Sequence, residues 1–385
     1  MTERIEAEWL ASEPARRVTA MLEEAGHQAW FVGGCVRNAL LGEPVSDLDL
    51  TTDARPERVV ELAGAAGLKP VPTGIEHGTV TVVARGTPIE VTTFRRDVET
   101  DGRRATVAFS DDIAEDAARR DFTMNALYAD ARGQVADPLG EGLSDLRARR
   151  LRFIGDPHER IREDYLRILR FFRFHAWYGE THGGIDADGL AACAELAEGI
   201  GGLSRERVGA EMLKLMAAPD PAPAVASMAI SGVLMRVLPG AASDPLSVLV
   251  HVEEEAGLAP DPLRRLALVG GEEAAERLRL SRKQAARLER LREGFESLQA
   301  PGELGYRLGT DEALDVLALR AALSGREIEA VSRETALAGA EARFPVKAAD
   351  LAAHFAGPAL GEALREREAR WIASGFSLTR DDLLP

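Results

Sequence analysis

Up to about residue 130 the chain alternates short apolar runs with amphipathic stretches, and beyond about residue 157 it keeps to helical spacing. One amphipathic helix is expected over residues 3–26, ended by Gly26. Strand-like runs follow at Ala29–Val32, Leu48–Thr51, Thr79–Ala84, Ile89–Phe94 and Leu127–Ala129. Helical patterns at Val36–Leu41 and Pro56–Ala66 lie between the first of these. From Arg95 to Asp112 the chain is polar, with Asp101-Gly102 as a turn signal, and it reads as a loop long enough to have a function. Past Asp156-Pro157, the apolar stripe Ile161, Tyr165, Ile168, Leu169 and Phe172 predicts a single helix with Pro157 in its first turn. Further helices are expected at 186–199, 204–217, 222–237, 244–256, 261–270, 272–279, 281–298, 311–323, 326–340 and 358–373.

A chain of 385 residues has room for two or three domains. No stretch approaches the length of a transmembrane span, and the acidic start at Glu3 is unlike a signal peptide. Two cysteines, Cys35 and Cys193, are too few for a disulfide framework or a zinc site, so a cytosolic protein is expected. The net charge of −16 argues against general affinity for polyanions but leaves local basic footprints open. Arginine is dense from Arg147 to Arg173, where Glu159, Glu163 and Asp164 are interleaved, as on a salt-bridged helix surface.

Candidate chemistry begins at Asp47-Leu48-Asp49. On a strand, residues two apart face the same way, so both carboxylates would meet at one spot. Two such carboxylates are costly to keep ionised without a cation, and a hard divalent ion such as Mg2+ suits oxygen ligands. Taken alone the pair also reads as solvated turn carboxylates. Gly33-Gly34, at the end of an apolar run and ahead of a helix, suits close approach of backbone N–H groups to a phosphate. Arg37 on that helix adds a phosphate-matching fork. A dinucleotide-binding reading of Gly-Gly lacks the third glycine and the acidic ribose partner.

Five motifs then fall in order: Gly33-Gly34-x-x-Arg37 with Asp47-x-Asp49, Arg119-Arg120-Asp121-Phe122-Thr123-Met124-Asn125-Ala126-Leu127, Asp137-Pro138-Leu139-Gly140-x-Gly142-x-x-Asp145-Leu146, Glu163-Asp164-x-x-Arg167-x-x-Arg170-x-x-Arg173-Phe174, and Leu203-Ser204-x-Glu206-Arg207 to Glu211-x-x-Lys214. Over about residues 28–240 the chain resembles the class II tRNA nucleotidyltransferases, the bacterial CCA-adding enzyme and poly(A) polymerase family. The resemblance implies an α+β chain, with a polymerase-β-like nucleotidyltransferase head of mixed sheet and helices over 1–135. It implies an all-helical remainder: a neck with the nucleobase-selecting helix over 136–180, a body over 181–260 and a tRNA-binding tail over 261–385. It further implies template-independent addition of CCA to tRNA 3′ ends from CTP and ATP, with release of pyrophosphate. Asp47 and Asp49 would hold two Mg2+ ions about 4 Å apart. Glu90 is the candidate third carboxylate, though it also reads as a surface strand glutamate. Gly33, Gly34 and Arg37 fall to the triphosphate, and Arg120, Asp121 and Asn125 to the ribose.

Asp164 and Arg167, three apart on the expected helix, would share a face. Cytosine and adenine both present an amine donor beside a ring-nitrogen acceptor, which a carboxylate and a guanidinium would match. Guanine and uracil present the reverse and would leave both contacts unpaired. Arg170 and Arg173 would line the same pocket, whereas without the family Asp164 and Arg167 read as an intrahelical ion pair. Asn38 and Ala105 depart from the family pattern, and no His-Asp dipeptide marks an appended phosphohydrolase domain. The run Gly74-Ile75-Glu76-His77-Gly78-Thr79 resembles the CCA-adding side of the family more than the poly(A) polymerases. A poly(A) polymerase, an A-adding enzyme and a catalytically silent RNA-binding protein stand as alternatives, and the oligomeric state is open.

Overall fold

In the strand Thr79–Ala84, Val80, Val82 and Ala84 are buried and the residues between them are half-exposed, as a sheet with one covered face requires. The computed structural model describes residues 3–101, 104–180 and 184–385. The strands are β1 (Trp30–Val32), β2 (Asp49–Thr52), β3 (Lys69–Gly74), β4 (Thr79–Ala84), β5 (Thr87–Thr93), β6 (Arg95–Asp101), β7 (Arg104–Phe109), β8 (Tyr128–Ala129) and β9 (Val135–Ala136). Seven of them form one mixed sheet in the order β3-β4-β5-β2-β1-β8-β9. β2 runs antiparallel to β1 and parallel to β5, the parallel pair being joined across the helix Pro56–Ala65 and the strands β3 and β4.

Two sequence expectations are corrected here. Residues 3–26 do not form one helix: Glu8–Ala11 and Glu13–Glu24 are separated at Ser12, whose extended backbone and side chain cap the second. Pro14 in that first turn has no N–H to continue a preceding helix, which explains the break. The polar stretch after Arg95 is not a loop either, since β6 and β7 pair as an antiparallel hairpin of their own. Within its expected turn, Gly102 and Arg103 lie outside the described residues.

The chain divides into two compact units, Met1–Ser204 with Ile230–Arg236, and Arg205–Ala229 with Val237–Pro385. In the first unit the sheet is followed by the helices Pro157–Glu163 and Leu166–Tyr178. A cluster of Phe122, Phe153, Phe171 and Phe174 joins the second of these to the end of the head, with ring centroids 4.9 Å (Phe122–Phe153) and 5.3 Å (Phe122–Phe174, Phe153–Phe171) apart.

The second unit is helical throughout its described elements. Its interior holds a charged cluster: Glu253 accepts from Arg264 at 2.8 Å and from Arg265 at 2.9 Å, and Asp315 accepts from Arg264 and Arg287, both at 2.6 Å. The helix Pro301–Leu308 has no clear sequence signature, because Gly302 and Gly305 weaken its propensity. Those glycines serve packing instead. A Cβ on Gly305 would sit 1.9 Å from the carbonyl oxygen of Ala336, and one on Gly339 would sit 2.0 Å from that of Gly302.

Candidate active site

Strand order brings the first motif to one end of the sheet. β1 ends at Val32 and β2 begins at Asp49 beside it, since Phe31 pairs with Leu50 across the antiparallel ladder. On the other side of β2, Asp49 pairs in parallel register with Glu90, so the two carboxylates share a face of the sheet. Asp47 lies just ahead of β2 and is exposed, its carboxylate accepting from the Ser46 hydroxyl at 2.9 Å. Burial pushes the Asp49 carboxyl up to about 6, with the charges of Glu90 and Asp47 adding to the rise and Arg120 opposing it. Beneath it, the buried Cys35 thiol makes a long contact of 3.9 Å to the Asp49 carbonyl oxygen and is itself pushed up to about 11, chiefly by burial.

The chain leaves β1 through Gly33, whose φ of 70° is a conformation that a side chain would strain. A Cβ there would also lie 3.6 Å from Nη1 of Arg120. The helix Gly34–Leu41 begins immediately after and closes on Gly42 in the left-handed conformation.

Arg37, expected to turn its fork to a phosphate, is buried and held by protein groups. Nη1 donates to Asn125 Oδ1 at 2.6 Å, Nε and Nη2 donate to Asn38 Oδ1 at 3.1 and 2.8 Å, and Nη2 also donates to the Tyr178 hydroxyl at 2.9 Å. Burial lowers its pKa, while Tyr178 and Asp121 work the other way. Asn38, the departure from the family's aspartate, passes the connection on, because its amide donates to the Pro44 carbonyl at 2.8 Å. An aspartate could not make that last bond.

The second motif is gathered in the same way. Arg120 donates to the Tyr128 hydroxyl at 3.0 Å and to the buried Asp116 at 2.9 Å. Burial works against its charge, but Tyr128 and Asp116 outweigh it and its pKa rises. Asp121 accepts from Phe122 N and from Asn125 Nδ2, each at 2.9 Å, and from Arg170 Nε at 2.8 Å and Nη2 at 2.5 Å. Burial pulls that carboxyl upward, yet Arg170 and the hydrogen bonds leave it below its ordinary value.

The fourth motif departs most from expectation. Asp164 and Arg167 do not lie on one helix: the first helix stops at Glu163, Asp164 is extended at φ −154° and ψ 105°, and the next begins at Leu166. The reason is local. The Asp164 carboxylate accepts from the Leu166 N–H at 3.1 Å and so starts the second helix in the manner of a cap. Arg167 is ion-paired with Glu163 and donates to the carbonyl oxygens of Arg160 at 2.7 Å and Arg119 at 3.3 Å. Arg160 in turn donates to the carbonyls of Ala118 at 3.1 Å and Arg120 at 2.7 Å. Arg173 lies over the Phe174 ring, 4.2 Å from its centroid. Arginines on the two neck helices thus fasten the second motif by its backbone.

Sequence reasoning passed over four residues that hold this arrangement, Asp116, Tyr128, Arg160 and Tyr178, and gave Glu163 no role at the site. Asp116, Arg160 and Glu163 had a usable signal, since Asp116 stands four before Arg120, and Glu163 lies three after Arg160 and four before Arg167. Tyr128, on a strand eight positions from Arg120, and Tyr178, 141 positions from the arginine it meets, had none.

Among the described residues, no three histidine, cysteine or acidic side chains are gathered to hold a metal ion. The donors nevertheless suit a hard divalent cation. All are carboxylate oxygens, the Asp49 carboxyl is raised partly by its acidic neighbours, and an ion of the Mg2+ kind completes its shell with water and substrate phosphates.

A mixed sheet with a glycine loop and paired carboxylates at one end, locked to a helical neck, defines a nucleotidyltransferase-type head. Residues 29–152 match the family model described as the poly A polymerase head domain, and residues 184–244 match a probable RNA and SrmB-binding site of polymerase A. A CCA-adding enzyme of Levilactobacillus brevis is 41% identical over 222 residues, which cover 57% of this chain and 54% of that one. The human mitochondrial CCA tRNA nucleotidyltransferase 1 is 38% identical over 208 residues, covering 54% and 48%. The matched stretch thus spans about half the length of these curated relatives. The crystal structure of the Bacillus stearothermophilus CCA-adding enzyme in complex with CTP superposes with a TM-score of 0.74 at 30% identity, covering 94% of this chain and 93% of that one. The structure of the Thermotoga maritima CCA-adding enzyme complexed with tRNA shares the fold, at a TM-score of 0.70, 18% identity and coverage of 99% and 95%. The chain belongs to the class II tRNA nucleotidyltransferase family, that of the bacterial CCA-adding enzymes and poly(A) polymerases. Among the described residues, no helix is long and apolar enough to cross a membrane.

Proposed function

We propose that this protein adds CCA to the 3′ end of tRNA without a nucleic-acid template, taking CTP and ATP in the cytosol and releasing pyrophosphate. The observation that carries the reading is Asp49: a partly buried carboxyl, crowded by Glu90 and Asp47, set beside the turn at Gly33. Asp47 and Asp49 would hold Mg2+, with Glu90 next to them, and the bound metal supplies charge neutralisation and activation of the attacking hydroxyl. The 3′ oxygen of the RNA attacks the α-phosphorus of the nucleotide as the bond to the pyrophosphate oxygen breaks. Gly33 and Gly34 let the chain approach the triphosphate closely, and the start of the helix at Gly34 favours its negative charge.

Arg37, Asn125, Asp121 and Arg170 hold the nucleotide pocket in shape through their mutual bonds. Arg120 moderates the negative charge at Asp49. Base choice falls to Asp164 and Arg167, the carboxylate facing an exocyclic amine and the guanidinium a ring nitrogen, with Arg173 beside them. The break in the helix supports this division, because it sets Asp164 at the start of the helix that Arg167 occupies.

The test is incubation of tRNA lacking its terminus with Mg2+ and each labelled nucleotide. Products that stop at CCA are expected. A lengthening A tail would make the protein a poly(A) polymerase, addition of A alone would make it an A-adding enzyme, and either would sink the reading.

A further inference from the structure

The Tyr178 side chain takes no part in the reading above, yet it closes a ring of contacts through the site. Its hydroxyl accepts from Arg37 Nη2 at 2.9 Å, and the Arg37 guanidinium carbon lies 4.0 Å from the centroid of its ring. Arg37 Nη1 donates to Asn125 at 2.6 Å, Asn125 donates to Asp121 at 2.9 Å, and Asp121 accepts from Arg170 at 2.8 and 2.5 Å. Arg170 and Tyr178 belong to the same helix, Leu166–Tyr178. Being eight positions apart, they sit about 12 Å apart along its axis. One helix therefore touches the ribose motif near its first turn and the helix of the glycine loop at its last. Both grips run through a buried charge, so a shift at one end is felt at the other.

We propose that Tyr178 is a positioning residue, which through Arg37 ties the helix following the glycine loop to the helix that starts with the base-choosing residues. It acts through Arg37. Its effect is to fix where the triphosphate lies relative to the base, so that a nucleotide held by its base also presents its α-phosphorus in line. The proposal rests on the reading of the site as a nucleotidyl-transfer centre.

Tyr178→Phe separates positioning from packing, because phenylalanine keeps the ring over Arg37 and removes only the acceptor. We expect kcat for C and A addition to fall about tenfold, KM for CTP to stay within about twofold, and the unfolding temperature to move by less than about 2 °C. Amide hydrogen exchange across Gly34–Leu41 should accelerate in the same variant, a readout that needs no activity. In an Arg37→Lys background the further substitution should cost less than half as much in logarithmic terms, because both changes break one contact. A residue that merely fills space would leave kcat and exchange as in the unaltered protein, and either of those results overturns the proposal. Should the unaltered protein transfer neither C nor A, the functional reading falls, and the exchange comparison alone decides whether Tyr178 holds the helix.

Discussion

Replacing Asp49 by asparagine sets two consequences of one carboxylate against each other. The Asp49 carboxyl is pushed from an ordinary 3.8 up to about 6 by burial, Glu90 and Asp47. The folded protein therefore binds this proton more tightly than the unfolded chain does. Its contribution to stability is complete below pH 4 and is lost as the pH rises through about 6. Above that pH, the ionised carboxylate costs the metal-free fold roughly 3 kcal/mol, taking 1.36 kcal/mol per pKa unit. Asparagine resembles the protonated form and escapes the penalty. At pH 8 in a chelator, Asp49→Asn is expected to melt several degrees above the unaltered protein, at about 2–4 °C per kcal/mol. Near pH 5 the gap should shrink by about half. Adding Mg2+ at pH 8 should raise the melting temperature of the unaltered protein and leave the variant where it was, while transfer by the variant is abolished. Differential scanning fluorimetry at the two pH values, with and without Mg2+, provides all the comparisons. A variant less stable than the unaltered protein at pH 8, or a gap independent of pH, would refute the account of Asp49 as a carboxylate under electrostatic load.

Three further outcomes follow from particular contacts. Asp164→Asn retains the cap on Leu166 while removing the charge, so UTP and GTP incorporation should rise with little change in stability. Asp164→Ala should add a capping loss of about 1 kcal/mol, and unchanged base discrimination in both would count against the template role. Asp121→Asn leaves Arg170 without its charged partner. Because the Asp121 carboxyl is held below its ordinary value, its stabilisation is present above about pH 4 and fades as the pH drops further, so the variant's deficit in melting temperature should be full at pH 7 and smaller in acid. Gly305→Ala would force a methyl to within 1.9 Å of the Ala336 carbonyl oxygen, and thermal unfolding should reveal a loss of about 2 kcal/mol or more.

What could be read from the sequence depended on how far apart the cooperating groups lie along the chain. The strands bearing Asp49, Val80 and Ile89 were visible because alternation over four to six residues is a local signal. The hairpin of β6 and β7 was not, since its polar residues give no alternation against a buried face. The glycine loop and the second motif showed their residue types, but the partner of each charge did not. Arg37 looks from sequence like a free phosphate fork, and only the fold places Asn125 and Tyr178 around it. The break at Asp164 was missed because the apolar stripe from Ile161 to Phe172 keeps helical phase across it. Hydrophobic periodicity records which face is buried, and it is blind to a side chain that caps the next turn from within the same phase.

The arginines around the site follow a common logic. Arg37, Arg160, Arg167 and Arg170 all bond to carbonyls, amides or carboxylates of the protein, and two of them, Arg160 and Arg167, reach the backbone of the second motif directly. A chain with a net charge of −16 that handles phosphates has reason to anchor its cations in this way. A guanidinium free to rotate would pair with whichever of the abundant carboxylates lay nearest, and the geometry of the pocket would vary with it. Fixed by the neutral acceptors Asn38, Asn125 and Tyr178, Arg37 keeps its position and leaves its positive field largely uncancelled. Arg160 and Arg167, which share Glu163, and Arg170, neutralised by Asp121, contribute shape and little field. The same residue type thus divides into carriers of charge and carriers of geometry according to whether its partners are all neutral or include a carboxylate.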